Sequence, residues 1–457
     1  MPVLALDVGS SSVRALAYDE RGRELEGTAA RRAYEPVYGR DGSAELDPDI
    51  LVTAARAVLD EARSTLGLAA TVDAVAISCF WHSLLLLDEG RRPLTQVLPW
   101  QDRRSAPQAA QLAGRLDPEE LHARTGSVLH SSYWPAKLAW LAAEHADLLA
   151  RAKHAVSFAE YLFLQLTGEL RMTLSSASGT GLLDLHTRSW DDEIADTLGL
   201  DRDLLPPLSD EPAGTGEPVF PPLGDGACSN LGSGATDAGH AALMIGTSGA
   251  YRVLRETDSP EPRAGLFCYL LDDHRIVEGG AVSDGGNLHA WLEKTLRLDD
   301  APRLEAPYPH GLAFLPLLGG ERSPSWSSHA AGAVAGLTFG TGPHDLYQAA
   351  LEGVAYRLAE IASLLPEVRT VIATGHALLA SPDWIQLCAD VLGRPVTASA
   401  VSEGSARGAA VHALERLGAD PEPAPLGQTY EPDLERTELH ATARERQREL
   451  YSRLFSP

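Results

Sequence analysis

Two stretches of the chain share one alternation of apolar and polar positions. Val3-Leu4-Ala5-Leu6 and the run from Val13 to Ala17 flank Gly9-Ser10-Ser11-Ser12, with Asp7 near the end of the first run and Arg14 near the start of the second. The pattern predicts a β-hairpin whose turn offers backbone N–H groups and hydroxyls to an anion. Leu243-Met244-Ile245, Gly246-Thr247-Ser248-Gly249 and Ala250 to Leu254 repeat it, with Gly246, Thr247 and Ser248 standing for Gly9, Ser10 and Ser11. Two hairpins of one grammar, one opening each half, predict a duplicated α/β pair whose turns face a shared nucleotide.

Between the hairpins, Glu24 to Ala33 reads as a third strand. Asp47-Pro48 opens a helix with apolar positions at Ile50, Leu51, Ala54, Ala57, Val58 and Ala62, ending at Gly67. Val72–Cys79 and Leu84–Leu87 are short apolar strands, and from Asp117-Pro118 to about Leu166 the period is helical. Gly179-Thr180-Gly181, Pro206-Pro207 and residues 211–226 read as loops. In the second half, Arg275 to Gly280 is a strand running into a loop, and Gly285-Gly286-Asn287 opens a helix. Pro343–Leu364 is a helix, Val371–Ala373 a buried strand, and Ser381 caps a helix through Leu392. Val396 to Ala400 is a strand, Gly404 to Leu417 a helix, and Leu434–Leu454 a charged surface helix. The organisation expected is two α/β domains with mixed sheets, residues 1–240 and 241–457.

Composition narrows the class. With 457 residues, 44% of them hydrophobic and 22% charged, the chain is an ordinary globular one of two or three domains by length. Its net charge of −25 argues against nucleic-acid and anionic-membrane partners. The four cysteines never form a C-x-x-C pair, so no zinc site or disulfide framework is expected. No apolar run is long enough to span a bilayer, and the N-terminus enters a strand directly; a cytoplasmic location is expected.

No G-x-x-x-x-G-K-[ST] occurs, Gly232-x-Gly234-x-x-Asp237 is a poor dinucleotide fingerprint, and metalloprotease and G-x-S-x-G patterns are missing. The chemistry therefore lies in the paired turns and nearby carboxylates. Phosphoryl transfer needs donors around the phosphates, a Mg²⁺ anchor and a base for the acceptor hydroxyl. The turns supply donors, Asp7 at a strand end is placed to hold hydrated Mg²⁺, and Asp237 is the candidate base. The plainer role for Asp237 is that of a capping carboxylate in a Gly-rich loop.

With these residues in view, the chain resembles the FGGY family of carbohydrate kinases, members of the actin-like ATPase superfamily. The resemblance covers nearly the whole length: Asp7 to Arg14, Trp100-Gln101-Asp102-Arg103-Arg104, Thr236 to His240, Gly246 to Gly249, Gly320 to Pro324, Leu351 to Ala355, and Thr374 to Val396. It implies two actin-like (ribonuclease H-like) domains with a nucleotide cleft between them, ATP and Mg²⁺ as cofactors, and Asp237 as the catalytic residue. It places phosphate and nucleotide binding at Gly9, Ser10, Ser11, Ser12, Arg14, Gly246, Thr247, Ser248, Gly249, Gly286, Asn287, Gly375, His376 and Ala377. His376 stands where many relatives have glycine, which bears on how closely the backbone approaches adenine. Substrate contacts are expected from Trp81, His82, Arg104, His130, Tyr133 and Asp237. The Lys137-Leu138-Ala139-Trp140 element is read as helix packing.

The patterns Trp81 to Leu85 and Gly126 to Lys137 are most similar to gluconokinases, which implies phosphorylation of a terminal hydroxyl of gluconate or a related sugar acid. Xylulokinase-like action on a ketose or polyol is the alternative within the class. Outside it stand a non-catalytic sugar or nucleotide sensor, and an actin- or chaperone-like ATPase that Trp100 and Trp384 disfavour. The partner expected is a small sugar or sugar acid, and a homodimer is one possible assembly.

Overall fold

A computed structural model describes residues 2–67, 71–214, 216–298, 304 and 310–455. Each half is built on a mixed sheet. The first has five strands in the spatial order Leu223–Gly224, Ala74–Cys79, Val3–Val8, Ser12–Tyr18, Ala30–Ala33. The second has seven, in the order Phe267–Leu270, Arg275–Val282, Gly249–Glu256, His240–Ile245, Thr370–Thr374, Val396–Ser399, Leu426–Tyr430. In both, the repeated hairpin is antiparallel and its first strand is also paired in parallel with a strand from further along the chain, Ala74–Cys79 or Thr370–Thr374.

Period-two alternation decides what each face meets. Leu4, Leu6 and Val8 face an outer core with Leu51, Ala55, Val58 and Ala62 of the Pro48–Thr65 helix, which Asp47 caps through the N–H groups of Asp49 and Ile50. Leu243, Ile245, Tyr251 and Val253 face the matching outer core under the Pro343–Leu364 and Pro382–Leu392 helices. The opposite faces, with Val3 and Ala5 from one sheet and Ala250 and Leu254 from the other, close on a shared layer. Its spine is the Asp225–Ser233 and Gly404–Arg416 helices. A Cβ at Gly232 would lie 1.8 Å from the Gly404 carbonyl oxygen and one at Gly408 1.9 Å from that of Cys228, so these helices touch backbone to backbone. Arg407 fastens the layer by donating to the carbonyls of Gly22, Gly232 and Glu422.

Several expectations need correction. The third strand is only Ala30–Ala33, because Thr28 turns back to accept the Ala17 N–H through its hydroxyl. The helical stretch is broken by His154–Val156, a strand that pairs with Leu85–Leu87. The strand from Arg275 continues to Val282, and the loop expected over residues 211–226 ends early because Asp225 already begins a helix. The charged terminal helix lies on the surface, with His440 bonded to Tyr356 and Gln447 donating to the carbonyls of Phe314 and Gly353.

Candidate active site

The turns of the two hairpins converge on a cavity of about 110 Å³ between the halves, lined by Ser10 from the first and Thr247 and Ser248 from the second. Its walls carry Asp225, Arg252, Arg322 and the rings of Trp81, His82, Trp100 and Tyr269. A larger cavity of about 430 Å³ shares Trp100 and Arg322 and includes His130, Ser283 and Asn287.

In the first turn the Gly9 N–H donates to the Ser12 carbonyl, and Tyr34 holds the turn through the Gly9 carbonyl. Ser12 itself is the first residue of the strand, where its hydroxyl accepts from Arg14. Arg14 is engaged with Glu403 and lies 3.8 Å from Asp7. Asp7 is buried and accepts from the Ser78 hydroxyl at 2.9 Å. Burial pushes its carboxyl up to about 6, with Arg14 pulling the other way.

The second turn is buttressed. Gly286 donates to the Gly246 carbonyl and Asn287 to that of Thr247, so the N-terminus of the Gly286–Thr295 helix sits against it. Gly375 has φ 90° and passes close under Ile245, where a Cβ would lie 2.6 Å from backbone. Ala377 closes on Gly286. His376 is exposed and begins a short helical turn with an ordinary φ, so this backbone needs glycine at 375 and accepts a side chain at 376.

Three glycines make the slot that holds Trp81. A Cβ at Gly224, Gly226 or Gly179 would lie 1.7, 2.5 or 2.4 Å from its ring, and the indole N–H donates to the Ser175 carbonyl. His82, at φ 69°, is held in the left-handed region at the cavity wall. Its Nδ1 lies 2.6 Å from the Gly179 carbonyl, which fixes the proton there and leaves Nε2 to accept from a ligand hydroxyl. Burial, with Arg322 nearby, holds His82 well below its usual range and therefore neutral. His130 is likewise pushed down, to about 3, and packs edge-on against Trp326 in the larger cavity.

Other expected substrate residues lie elsewhere. Tyr133 stands behind His82, with its hydroxyl bonded to Tyr269, and supports the ring without lining either cavity. Arg104 faces away: its donors are taken by Asp102 and Glu45 and it stacks on Trp140 at 4.5 Å, while Arg103 lines the larger cavity.

Asp237 is the main correction. It precedes the His240–Ile245 strand, whereas the phosphate turn follows it, and six residues of strand separate the two by about 20 Å. Its carboxylate is half exposed and accepts from the Gly239 N–H and His240 Nδ1, the capping role that was the plainer reading. The carboxylate at the cavity is Asp225, at the start of the Asp225–Ser233 helix, where it accepts from the Gly226 N–H at 2.8 Å. Burial raises its pKa against the pull of Arg252, which gives it the basicity of a proton acceptor. Gly-Asp-Gly before Asn230-Leu231-Gly232, a stripe of small residues at helical spacing, was the available signal.

Lys137, expected from the sequence to serve helix packing, has a second role. It is 1% exposed, and its ammonium donates to the carbonyls of His82, Leu98 and Pro99, tying together the segments that carry His82 and Trp100.

Comparison with known proteins gives the family and the fold. Residues 2–218 match the N-terminal domain of the FGGY family of carbohydrate kinases, and residues 241–415 match its C-terminal domain. A gluconokinase of Bacillus subtilis is 30% identical, over 91% of this chain and 88% of its own. A xylulose kinase of Escherichia coli is 29% identical over 99% of each. The crystal structure of a gluconate kinase from Lactobacillus acidophilus superposes with a TM-score of 0.91 at 26% identity, covering 100% of this chain and 98% of that one. Two matched domains, a shared two-sheet architecture and a cavity between paired turns identify the chain as a member of the FGGY family of carbohydrate kinases.

Proposed function

We propose that this kinase transfers the γ-phosphoryl group of ATP to the terminal hydroxyl of a sugar acid, gluconate being the first candidate. The observation that carries the reading is the cavity in which a half-buried carboxylate, Asp225, shares walls with both Gly-hydroxyl turns and the Trp81–His82 platform. An acceptor would lay its C–H face on Trp81 and donate a hydroxyl to His82 Nε2. Asp225 takes the proton of the attacking hydroxyl as the O–P bond forms and the bond to ADP breaks. Ser10, Thr247 and Ser248 hold the phosphates, and the helix N-terminus at Gly286 and the Gly375–Ala377 segment flank the nucleotide. Asp7 is the residue that would hold hydrated Mg²⁺, which when bound neutralises phosphate charge; its acceptor-only carboxylate beside the first turn fits that ion. The halves 1–240 and 241–457 act as jaws, and closure excludes water from the transfer.

The similarity to gluconokinase of Bacillus subtilis and to the gluconate kinase structure supports the sugar acid. The similarity to xylulose kinase of Escherichia coli supports a ketose as the second reading. Among the described residues no helix is long and apolar enough to cross a membrane, and all four cysteines are free, which fits work in a reducing cytoplasm. The test is ADP release on addition of gluconate, other sugar acids, pentuloses and polyols. Selective gluconate-dependent release supports the reading, selective pentulose-dependent release replaces it with the second, and sugar-independent or absent turnover overturns both.

A further inference from the structure

Strand alternation sends Arg252, with Ala250 and Leu254, toward the layer between the halves, while Tyr251 and Val253 face the outer core. Arg252 is 6% exposed and lines the deep cavity. The chain builds a slot for it: a Cβ at Gly226 would lie 2.8 Å from Nη1 and one at Gly279 2.9 Å from Cγ. Its Nε donates to Asn230 Oδ1 at 3.1 Å, and Asn230 Nδ2 donates back to the Arg252 carbonyl at 3.2 Å, so the guanidinium is held in one orientation. Among the described residues Nη2 has no hydrogen-bond partner.

The charges around it do not balance. Asp225 is the carboxylate lining the cavity, Arg252 and Arg322 are both cationic, and His82 is neutral. Burial, aided by Arg322, draws the Arg252 pKa down to about 10, only partly offset by Asp225. A buried cation with an idle donor is costly unless a ligand completes it, and a guanidinium edge matches a carboxylate in two parallel hydrogen bonds. Arg252 stands three residues along its strand from Gly249, and it lines the same cavity as Thr247 and Ser248 of the phosphate turn.

We infer that Arg252 binds the carboxylate of the acceptor and so sets a preference for sugar acids over neutral sugars and polyols of the same length. This deepens the function proposed above and rests on it. The experiment compares gluconate with gluconamide, its neutral counterpart, in the wild-type enzyme, Arg252→Gln and Arg252→Lys, with the KM for MgATP as control. Loss of a charge-assisted pair predicts that Arg252→Gln lowers kcat/KM for gluconate by about tenfold to a hundredfold more than for gluconamide. Arg252→Lys, which keeps the charge and lacks the fork, should give a smaller loss with the same selectivity. Equal losses on both acceptors in both variants would assign Arg252 to the phosphoryl group or to the fold and overturn the inference alone, as would no loss at all. Wild-type enzyme without turnover of any sugar acid overturns the proposed function and this inference with it.

Discussion

Lys137 gives the sharpest test of how the acceptor side of the cavity is held. Its ammonium is fully buried, faces three carbonyls, and among the described residues has no carboxylate in contact. Burial drives its pKa from the ordinary 10.5 to about 7, with Asp102 pulling weakly back. In the unfolded chain the amine takes up a proton as pH falls below about 10.5, while the folded protein takes one up only near pH 7. The unfolded state therefore holds more protons in that window, so stability rises with pH across it and levels off below about 7. At about 1.4 kcal/mol per pH unit, the gain between about pH 7.5 and about pH 9.5 is on the order of 2 kcal/mol. Lys137→Met keeps the volume and removes the titration. Urea denaturation of both proteins at several pH values in this range should show wild-type stability gaining on the variant by that amount as pH rises. The variant should also show a raised KM for the acceptor and an unaltered KM for MgATP, because the stranded carbonyls belong to the segments bearing His82 and Trp100. Parallel pH profiles, or an acceptor KM that does not move, would refute the clamp.

Gly224→Ala places a methyl 1.7 Å from Trp81 Cε2, against a ring also enclosed by Gly179 and Gly226. Such overpacking should cost about 1–3 kcal/mol and raise the acceptor KM, and an unchanged denaturation midpoint with unchanged near-UV dichroism of the tryptophans would count against the slot. Asp7 has a raised pKa of about 6 in the fold, so the charged form that Mg²⁺ needs is lost as pH falls through about 6 and not near the ordinary 3.8. Calorimetric MgATP affinity should drop between about pH 7.5 and about pH 5.5 in the wild type and be weak at both values in Asp7→Asn; a pH-independent wild-type affinity would remove Asp7 from that role.

The hairpins, their turns and the long helices were legible because each is encoded locally. Alternation at Val3–Tyr18 and 240–254, Pro48 after Asp47, and the apolar stripe of Pro343–Leu364 all match the structure. Asp225 was hidden because its helix begins after Gly224 without a side-chain cap and contains Gly226 and Gly232. What stabilises that helix is close backbone contact with Gly404 and Gly408, nearly two hundred residues away. Asp237 misled because nearness in sequence to the turn hid a whole strand between them. Arg104 and Arg103 are adjacent in sequence, and only the folded pairing with Asp102 and Glu45 shows which one is spent. Arg252 looked like a repeat of Arg14. Yet Arg14 is ion-paired with Glu403, while Arg252 lines the cavity, where its Nη2 has no partner among the described residues.

Asp225 as the base and Asp237 as the cap of a distant turn lead to opposite expectations for two conservative variants. Gluconate-dependent ADP release by Asp225→Asn and Asp237→Asn, with MgATP binding measured on both, decides the assignment. Asp225→Asn should bind MgATP normally and lose at least ~10²-fold in kcat, while Asp237→Asn should stay within about twofold of wild type, as an exposed substitution does. Near-normal turnover in Asp225→Asn together with collapse in Asp237→Asn would contradict the assignment.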